Sequence, residues 1–178
     1  MNTLSTGQVQ AIRDSIRAIP DFPKKGILFR DITPLLMDKD RFGDCIRHFQ
    51  SQVRPPVDCV VSIESRGFIF GSALAYALGV GFVPIRKQGK LPHKITSVSY
   101  DLEYGSSTVE MHDDALKPGS RVVLIDDVLA TGGTVLAATR LVRQAGAKIE
   151  GLYFLIELEG LGGRAKLEGF PVHSLVQF

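Results

Sequence analysis

Val122-Val123-Leu124-Ile125-Asp126-Asp127-Val128-Leu129-Ala130-Thr131-Gly132-Gly133-Thr134 is the stretch that decides the fold of this chain. Four consecutive apolar residues, three of them β-branched, end in two carboxylates. So short an uninterrupted run suits a strand over Arg121–Ile125 buried on both faces, as in a parallel sheet covered by helices. Beyond Thr134 the pattern turns helical. Val135, Ala138, Thr139, Val142 and Ala145 recur at spacings of three and four, and Gly146 supplies a stop. The connection between strand and helix is therefore short and rich in glycine and hydroxyls. It aims free backbone N–H groups and the positive end of a helix dipole at one point, which is the physical definition of an anion site.

The two carboxylates narrow what that anion can be. Asp126 and Asp127 would repel a bare phosphate, and no cation stands beside them in sequence. They suit a ligand that also carries hydroxyls or a divalent cation, and a ribose 5-phosphate answers both demands. A Walker P-loop is excluded, because no Gly-Lys-Ser/Thr follows the glycines. A dinucleotide fingerprint is excluded too, since Thr131-Gly132-Gly133-Thr134 lacks the Gly-x-Gly-x-x-Gly spacing. The stretch resembles the signature with which type I phosphoribosyltransferases bind 5-phosphoribosyl-1-pyrophosphate (PRPP). That resemblance implies that Asp126, Asp127, Ala130, Thr131, Gly132, Gly133 and Thr134 hold the ribose 5-phosphate.

Outward from this centre, strands and helices alternate without a linker. A helix capped by Thr6 and running through Ile19 would align Val9, Ile12, Ile16 and Ile19 in one stripe. A second helix is expected from about Asp40 to Val53, ended by Pro55-Pro56. Cys59–Ile63 reads as a buried strand and Gly67–Leu78 as a helix stopped at Gly79. Further strands are expected near Gly81–Ile85, Thr108–His112 and Gly151–Glu157. The alternation predicts a doubly wound, mainly parallel α/β sheet, whose ligands gather at the carboxyl ends of its strands.

A second strand-to-helix turn, Glu64-Ser65-Arg66-Gly67, could hold another anion through a hydroxyl and a guanidinium. Arg86-Lys87-Gln88-Gly89-Lys90-Leu91-Pro92-His93-Lys94 then packs four cations into nine residues. The polar segment that follows, as far as 107, reads as a long binding loop or lid. Composition agrees with one compact enzyme domain spanning 1–178. Hydrophobic residues make up 44% of 178, and the net charge of +2 is too small to argue for nucleic acid as a partner. No apolar run could span a bilayer and no signal-peptide core opens the chain, so neither a membrane nor secretion is expected. Cys45 and Cys59, the two cysteines, suit a core in a reducing cytoplasm and form no metal motif.

With these features on the page, the chain resembles the adenine phosphoribosyltransferases from Asp21 onward. The matching segments are Gly26-Ile27-Leu28-Phe29-Arg30-Asp31, Ser65-Arg66-Gly67-Phe68, Arg86-Lys87 with Gly89-Lys90-Leu91-Pro92, Leu102-Glu103-Tyr104-Gly105, and Asp126 to Thr134. The resemblance implies magnesium-dependent transfer of phosphoribose from PRPP to N9 of adenine, giving AMP and pyrophosphate, by a cytoplasmic homodimer of purine salvage. It implies pyrophosphate binding by Glu64, Ser65, Arg66, Arg86, Lys87 and Lys90, in a family where the peptide before the position of Ser65 is often cis. Glu103, Tyr104 and Arg66 are implied as catalytic residues, the first two on a mobile loop. Phe22, Leu28 and Arg30 are implied to bind the base, in a small hood formed by the N-terminal segment 20–36. Magnesium would meet Asp126 and Asp127 indirectly, through water and PRPP. Two rivals stay open: a nucleotide-sensing regulator that keeps PRPP binding as its sensor, and an enzyme acting on xanthine or hypoxanthine.

Overall fold

The computed structural model of the protein describes residues 4–101 and 105–178. The chain divides into two compact units, Met1–Gln52 and Val53–Phe178. The first carries helix α1 (Thr6–Asp14), strands β1 (Arg17–Pro20) and β2 (Leu28–Asp31), and helices α2 (Thr33–Met37) and α3 (Lys39–Gln52). Helix α1 is capped by Ser5, not Thr6. Ser5 Oγ accepts from the backbone N–H of Gln8, whose side chain accepts in return from the Ser5 N–H. The helix stops at Asp14, so the expected helix through Ile19 is corrected. Ile19 belongs instead to β1, paired antiparallel with Phe29 of β2. Helix α3 lies where the periodicity puts it, with Cys45 and Phe49 buried.

The second unit holds β3 (Cys59–Ile63), α4 (Gly67–Leu78), β4 (Gly81–Lys87), β5 (Ile95–Asp101), β6 (Ser106–His112), β7 (Arg121–Leu129), α5 (Gly133–Gln144), β8 (Lys148–Glu157) and β9 (Val172–Gln177). One seven-stranded sheet runs in the order β5-β6-β4-β3-β7-β8-β9. Its β4-β3-β7-β8-β9 portion is parallel, and β5 and β6 extend it antiparallel. Every residue of β3 is buried, as are Val122–Ile125 of β7, because α4 and α5 cover the sheet. The chain leaves β3 to one side for β4 and returns to its other side for β7. That makes the β3–β7 boundary the switch point where such sheets bind ligands.

Two expectations along this unit are corrected. Residues 86–107 do not form one long loop. After a turn at 88–94, Ile95, Thr96, Val98 and Tyr100 build β5, and its pairing with β6 runs from Ile95↔His112 to Asp101↔Ser106. Strand β7 does not end before the acids. Val128 and Leu129 continue it past Asp126 and Asp127, paired with Ile156 and Glu157 of β8. Among the described residues, no helix is long and apolar enough to cross a membrane.

Candidate active site

Strand β7 outruns its neighbour at the switch point. Its pairing with β3 reaches Ser62↔Ile125 and goes no further, whereas the pairing with β8 continues to Leu129. Asp126 and Asp127 thus project where one side of the strand has lost its partner. They open into a cavity of about 470 Å³. Its lining joins the Glu64-Ser65-Arg66 turn, Lys87, the two aspartates, and the unbroken loop from Ala130 to Thr134. Two turns read separately in the sequence therefore meet at one site.

Helix α4 approaches this site so closely that only glycine fits at its first residue. A Cβ on Gly67 would stand 2.5 Å from Asp126 Oδ1 and 2.9 Å from Ser62 Oγ. Ser62 is fully buried on β3 and donates its hydroxyl to the Ile125 carbonyl at 2.8 Å, tying β3 to β7 just before the acids. The peptide between Glu64 and Ser65 is cis. Arg66, the residue before α4, brings Nε to 2.7 Å from Asp127 Oδ2. The cation that the sequence does not place beside the acids is thus supplied by the fold.

The electrostatics of the pair are those of a site awaiting positive charge. Burial is the first cause that pushes the Asp126 carboxyl well above its ordinary range, and the neighbouring Asp127 charge adds to it. Asp127 is also raised by burial, against the opposing pull of Arg66. Asp126 Oδ1 accepts the Asp127 backbone N–H at 2.9 Å. Asp127 Oδ2 is buried and, despite its nearness to Arg66 Nε, receives no properly directed hydrogen bond. Proximity without alignment leaves a carboxylate oxygen short of a donor, and a ribose hydroxyl or a hydrated cation would correct this.

The facing loop is built for an anion. Gly132 stands at the N-cap of α5 with φ 77°, and no side chain caps the helix there. The first N–H groups of α5 are accordingly left to a ligand. Thr134 Oγ1 lies 3.0 Å from Tyr100 Oη. Tyr100 and Ser107 also line the cavity, from β5 and β6, although neither belongs to a motif that the sequence marks for binding. The signal for Tyr100 was its place in a run of good strand formers, which sets it beside the helix start.

The remaining expected residues fall in three groups. Arg86 and Lys90 lie in the same unit but do not line the cavity. Arg86 Nε donates to Glu64 Oε2 at 2.6 Å and its Nη1 to the Lys90 carbonyl at 2.9 Å, so it stiffens the turn from behind. Phe22, Leu28 and Arg30 belong to the first unit. There Phe22 packs edge-on against Phe29 with centroids 5.1 Å apart, and Phe22 and Leu28 are about half exposed. Glu103 and Tyr104 lie outside the described residues. No cluster of three or more His, Cys, Asp or Glu that could hold a metal occurs among the described residues. The aspartate pair is therefore an incomplete ligand set that substrate oxygens and water would have to complete.

Known proteins share this architecture. Residues 41–167 match the phosphoribosyl transferase domain family. An adenine phosphoribosyltransferase of Carboxydothermus hydrogenoformans is 57% identical over 170 residues, covering 94% of this chain and 99% of the relative. The crystal structure of an adenine phosphoribosyltransferase from Thermoanaerobacter pseudethanolicus superposes with a TM-score of 0.93 at 48% identity, covering 96% of this chain and 99% of that one. The enzyme of Saccharomyces cerevisiae, complexed with an imino-altritol bisphosphate and adenine, gives 0.89 at 40% identity, with 96% and 99% covered.

Proposed function

The chain belongs to the adenine phosphoribosyltransferases, and on that premise we propose that it transfers the 5-phosphoribosyl group of PRPP to N9 of adenine, giving AMP and pyrophosphate. The observation that carries this reading is the pairing of two carboxylates, Asp127 buried and Asp126 partly so, with an uncapped, glycine-opened helix start across one cavity. In it the 5-phosphate takes the backbone N–H groups of Thr131 to Thr134 and the Thr134 hydroxyl. The ribose 2- and 3-hydroxyls donate to Asp126 and Asp127, which supplies the directed donor that Asp127 Oδ2 lacks.

Glu64, Ser65, Arg66, Arg86, Lys87 and Lys90 receive the pyrophosphate, and Arg86 also braces the turn through Glu64 and the Lys90 carbonyl. As the C1–O bond to pyrophosphate lengthens, positive charge grows at C1, and the aspartates below the ribose stabilise it. Arg66 and Lys87 balance the negative charge on the leaving group, so cation and anion separate between two preorganised surfaces. Magnesium fits the incomplete carboxylate set, and when bound it neutralises PRPP and orients its pyrophosphate. Glu103 manages the adenine proton with Tyr104 beside it, and Arg66 completes the catalytic set. Phe22 stacks on the base, the backbone at Leu28 reads its edge, and Arg30 approaches N3. The chain works as one functional domain, its N-terminal segment 20–36 forming a hood.

We place the enzyme in the cytoplasm as a homodimer of purine salvage. Free, buried Cys45 and Cys59 suit a reducing compartment. Tyr76 and Ile69, exposed two turns apart on α4, suit a face covered by a second copy. The test is a panel of adenine, hypoxanthine, guanine and xanthine with PRPP, with and without magnesium. AMP formed from adenine alone, and lost on chelation, is the expected result. Efficient conversion of hypoxanthine overturns the base assignment, and turnover undiminished by chelation removes the metal.

A further inference from the structure

The Ala130–Thr134 loop rests on a second segment, outside the cavity lining. Gly163 is buried directly behind it. A Cβ added there would overlap the Ala130 carbonyl oxygen and stand 3.0 Å from the Gly132 nitrogen. Seen from the other side, a Cβ on Gly132 would meet the Gly163 carbonyl oxygen at 2.7 Å. Backbone therefore touches backbone, with no side chain between to absorb a shift. The position of the loop amides depends on where the 3-10 turn Gly163–Leu167 lies.

That turn is short, and Gly162 and Gly169, both at positive φ, flank it. It is anchored by Leu167, buried in the core, and by Arg164, the next residue after Gly163. The Arg164 guanidinium donates through Nε to Glu157 Oε1 at 2.8 Å and through Nη2 to Glu157 Oε2 at 2.5 Å, a two-pronged pair. Its Nη1 reaches the Val172 carbonyl at 3.0 Å and Nη2 the Ser174 hydroxyl at 3.2 Å, so one side chain grips both β8 and β9. The Glu157 side chain is only 6% exposed, at the last residue of β8, whereas that of Arg164 is 45% exposed. The pairing lowers the Glu157 carboxyl below its usual range, consistent with a charge held by its partner.

We propose that Glu157 and Arg164 are positioning residues for the phosphate subsite: their ion pair fixes the Gly163 backbone, which in turn fixes the amides of the Ala130–Thr134 loop. Neither side chain touches substrate. Arg164 acts through Gly163, and Gly163 acts through Ala130 and Gly132. This inference deepens the functional reading above and rests on it only for the identity of the ligand as a ribose 5-phosphate.

The test measures ribose 5-phosphate binding by calorimetry in wild type, Arg164→Met and Arg164→Lys, alongside kcat and KM for both substrates. Arg164→Met should weaken ribose 5-phosphate binding and raise the PRPP KM about tenfold, within the penalty expected for displaced binding groups. The KM for adenine and kcat should stay within about twofold of wild type. Arg164→Lys keeps the charge but not the fork, and should fall between the two. Hydrogen exchange at the amides of 131–134 should quicken in step. If Arg164→Met does not fold, Arg164→Lys decides by the same readouts. Wild-type affinity in a folded variant overturns the inference, as does a lowered melting temperature with an unmoved PRPP KM. Failure of the wild-type protein itself to bind ribose 5-phosphate overturns the functional reading instead.

Discussion

Replacing Asp126 by Asn should make the ligand-free protein more stable while nearly abolishing its activity. The carboxyl of Asp126 is pushed well up, first by burial and then by Asp127, whereas Arg66 pairs with Asp127. The two carboxyls lie within hydrogen-bond reach of each other. At an effective dielectric of about 20, two unit charges about 4 Å apart repel by about 4 kcal/mol. Arg66 offsets part of this, leaving about 1–2 kcal/mol to be recovered by a neutral amide of the same shape, a common gain where an active site holds unfavourable charge. Because the folded pKa is raised, the folded chain holds this proton more tightly than the unfolded one. Stability is therefore lost as pH rises from the unfolded carboxyl value, about 3.9, up through the folded one. The advantage of Asp126→Asn should be absent near pH 4 and full above that window. Thermal unfolding without ligand should show the variant melting about 2–6 °C higher at pH 7.5, with the curves converging toward pH 4. AMP formation should meanwhile fall about 10²–10³-fold, the cost of a lost charge-assisted contact at the transition state. A variant no more stable at pH 7.5, or one whose gain ignores pH, refutes the argument from buried charge. Near-normal turnover refutes the role of the residue.

Gly67→Ala should lower stability by about 1–3 kcal/mol through overpacking and raise the PRPP KM, because its Cβ would stand 2.5 Å from Asp126 Oδ1. Denaturant titration and initial rates check both. Phe22→Ala should weaken adenine binding by about 1–3 kcal/mol, the scale of an aromatic–base stack, and leave the PRPP KM unmoved; rates at varied adenine test it. Tyr100→Phe should raise the PRPP KM about three- to tenfold, a hydrogen bond's worth, since it removes the partner of the Thr134 hydroxyl. The same change in a Thr134→Val background should add nothing, and an additive effect would show that Tyr100 acts elsewhere.

The parts of the site that were legible in the sequence are those whose physics is local. The loop from Ala130 to Thr134 announces itself because glycine, hydroxyl and helix periodicity fall within a dozen residues, and the structure places α5 where that periodicity puts it. Strand β3 and helix α4 were legible for the same reason, down to the stop at Gly79. Errors came where a local pattern served two masters. Ile16 and Ile19 extend the stripe of α1, yet Ile19 is taken by pairing with Phe29 in β1. The polar residues of β5 read as loop because half of the strand faces outward, and its edge position tolerates that alternation.

What the sequence could not show is which charges meet. Arg66 reads as a ligand for an anion, and Asp127 as a ligand for ribose. Neither reading by itself foresees that the two pair at 2.7 Å. The pairing has a physical reason. A crevice holding two carboxylates largely out of water and nothing else would protonate or disrupt the sheet around it, so the Glu64-Ser65-Arg66 turn lends its guanidinium to the acids. The loan is incomplete, because Asp127 Oδ2 still lacks a directed donor. On the proposed function, substrate entry would give the arginine an anion and the aspartates their hydroxyls. The site is thus held together by charges that would have to separate when the substrate arrives. Selection for folding and for binding acts on the same residues, and a sequence records only their sum.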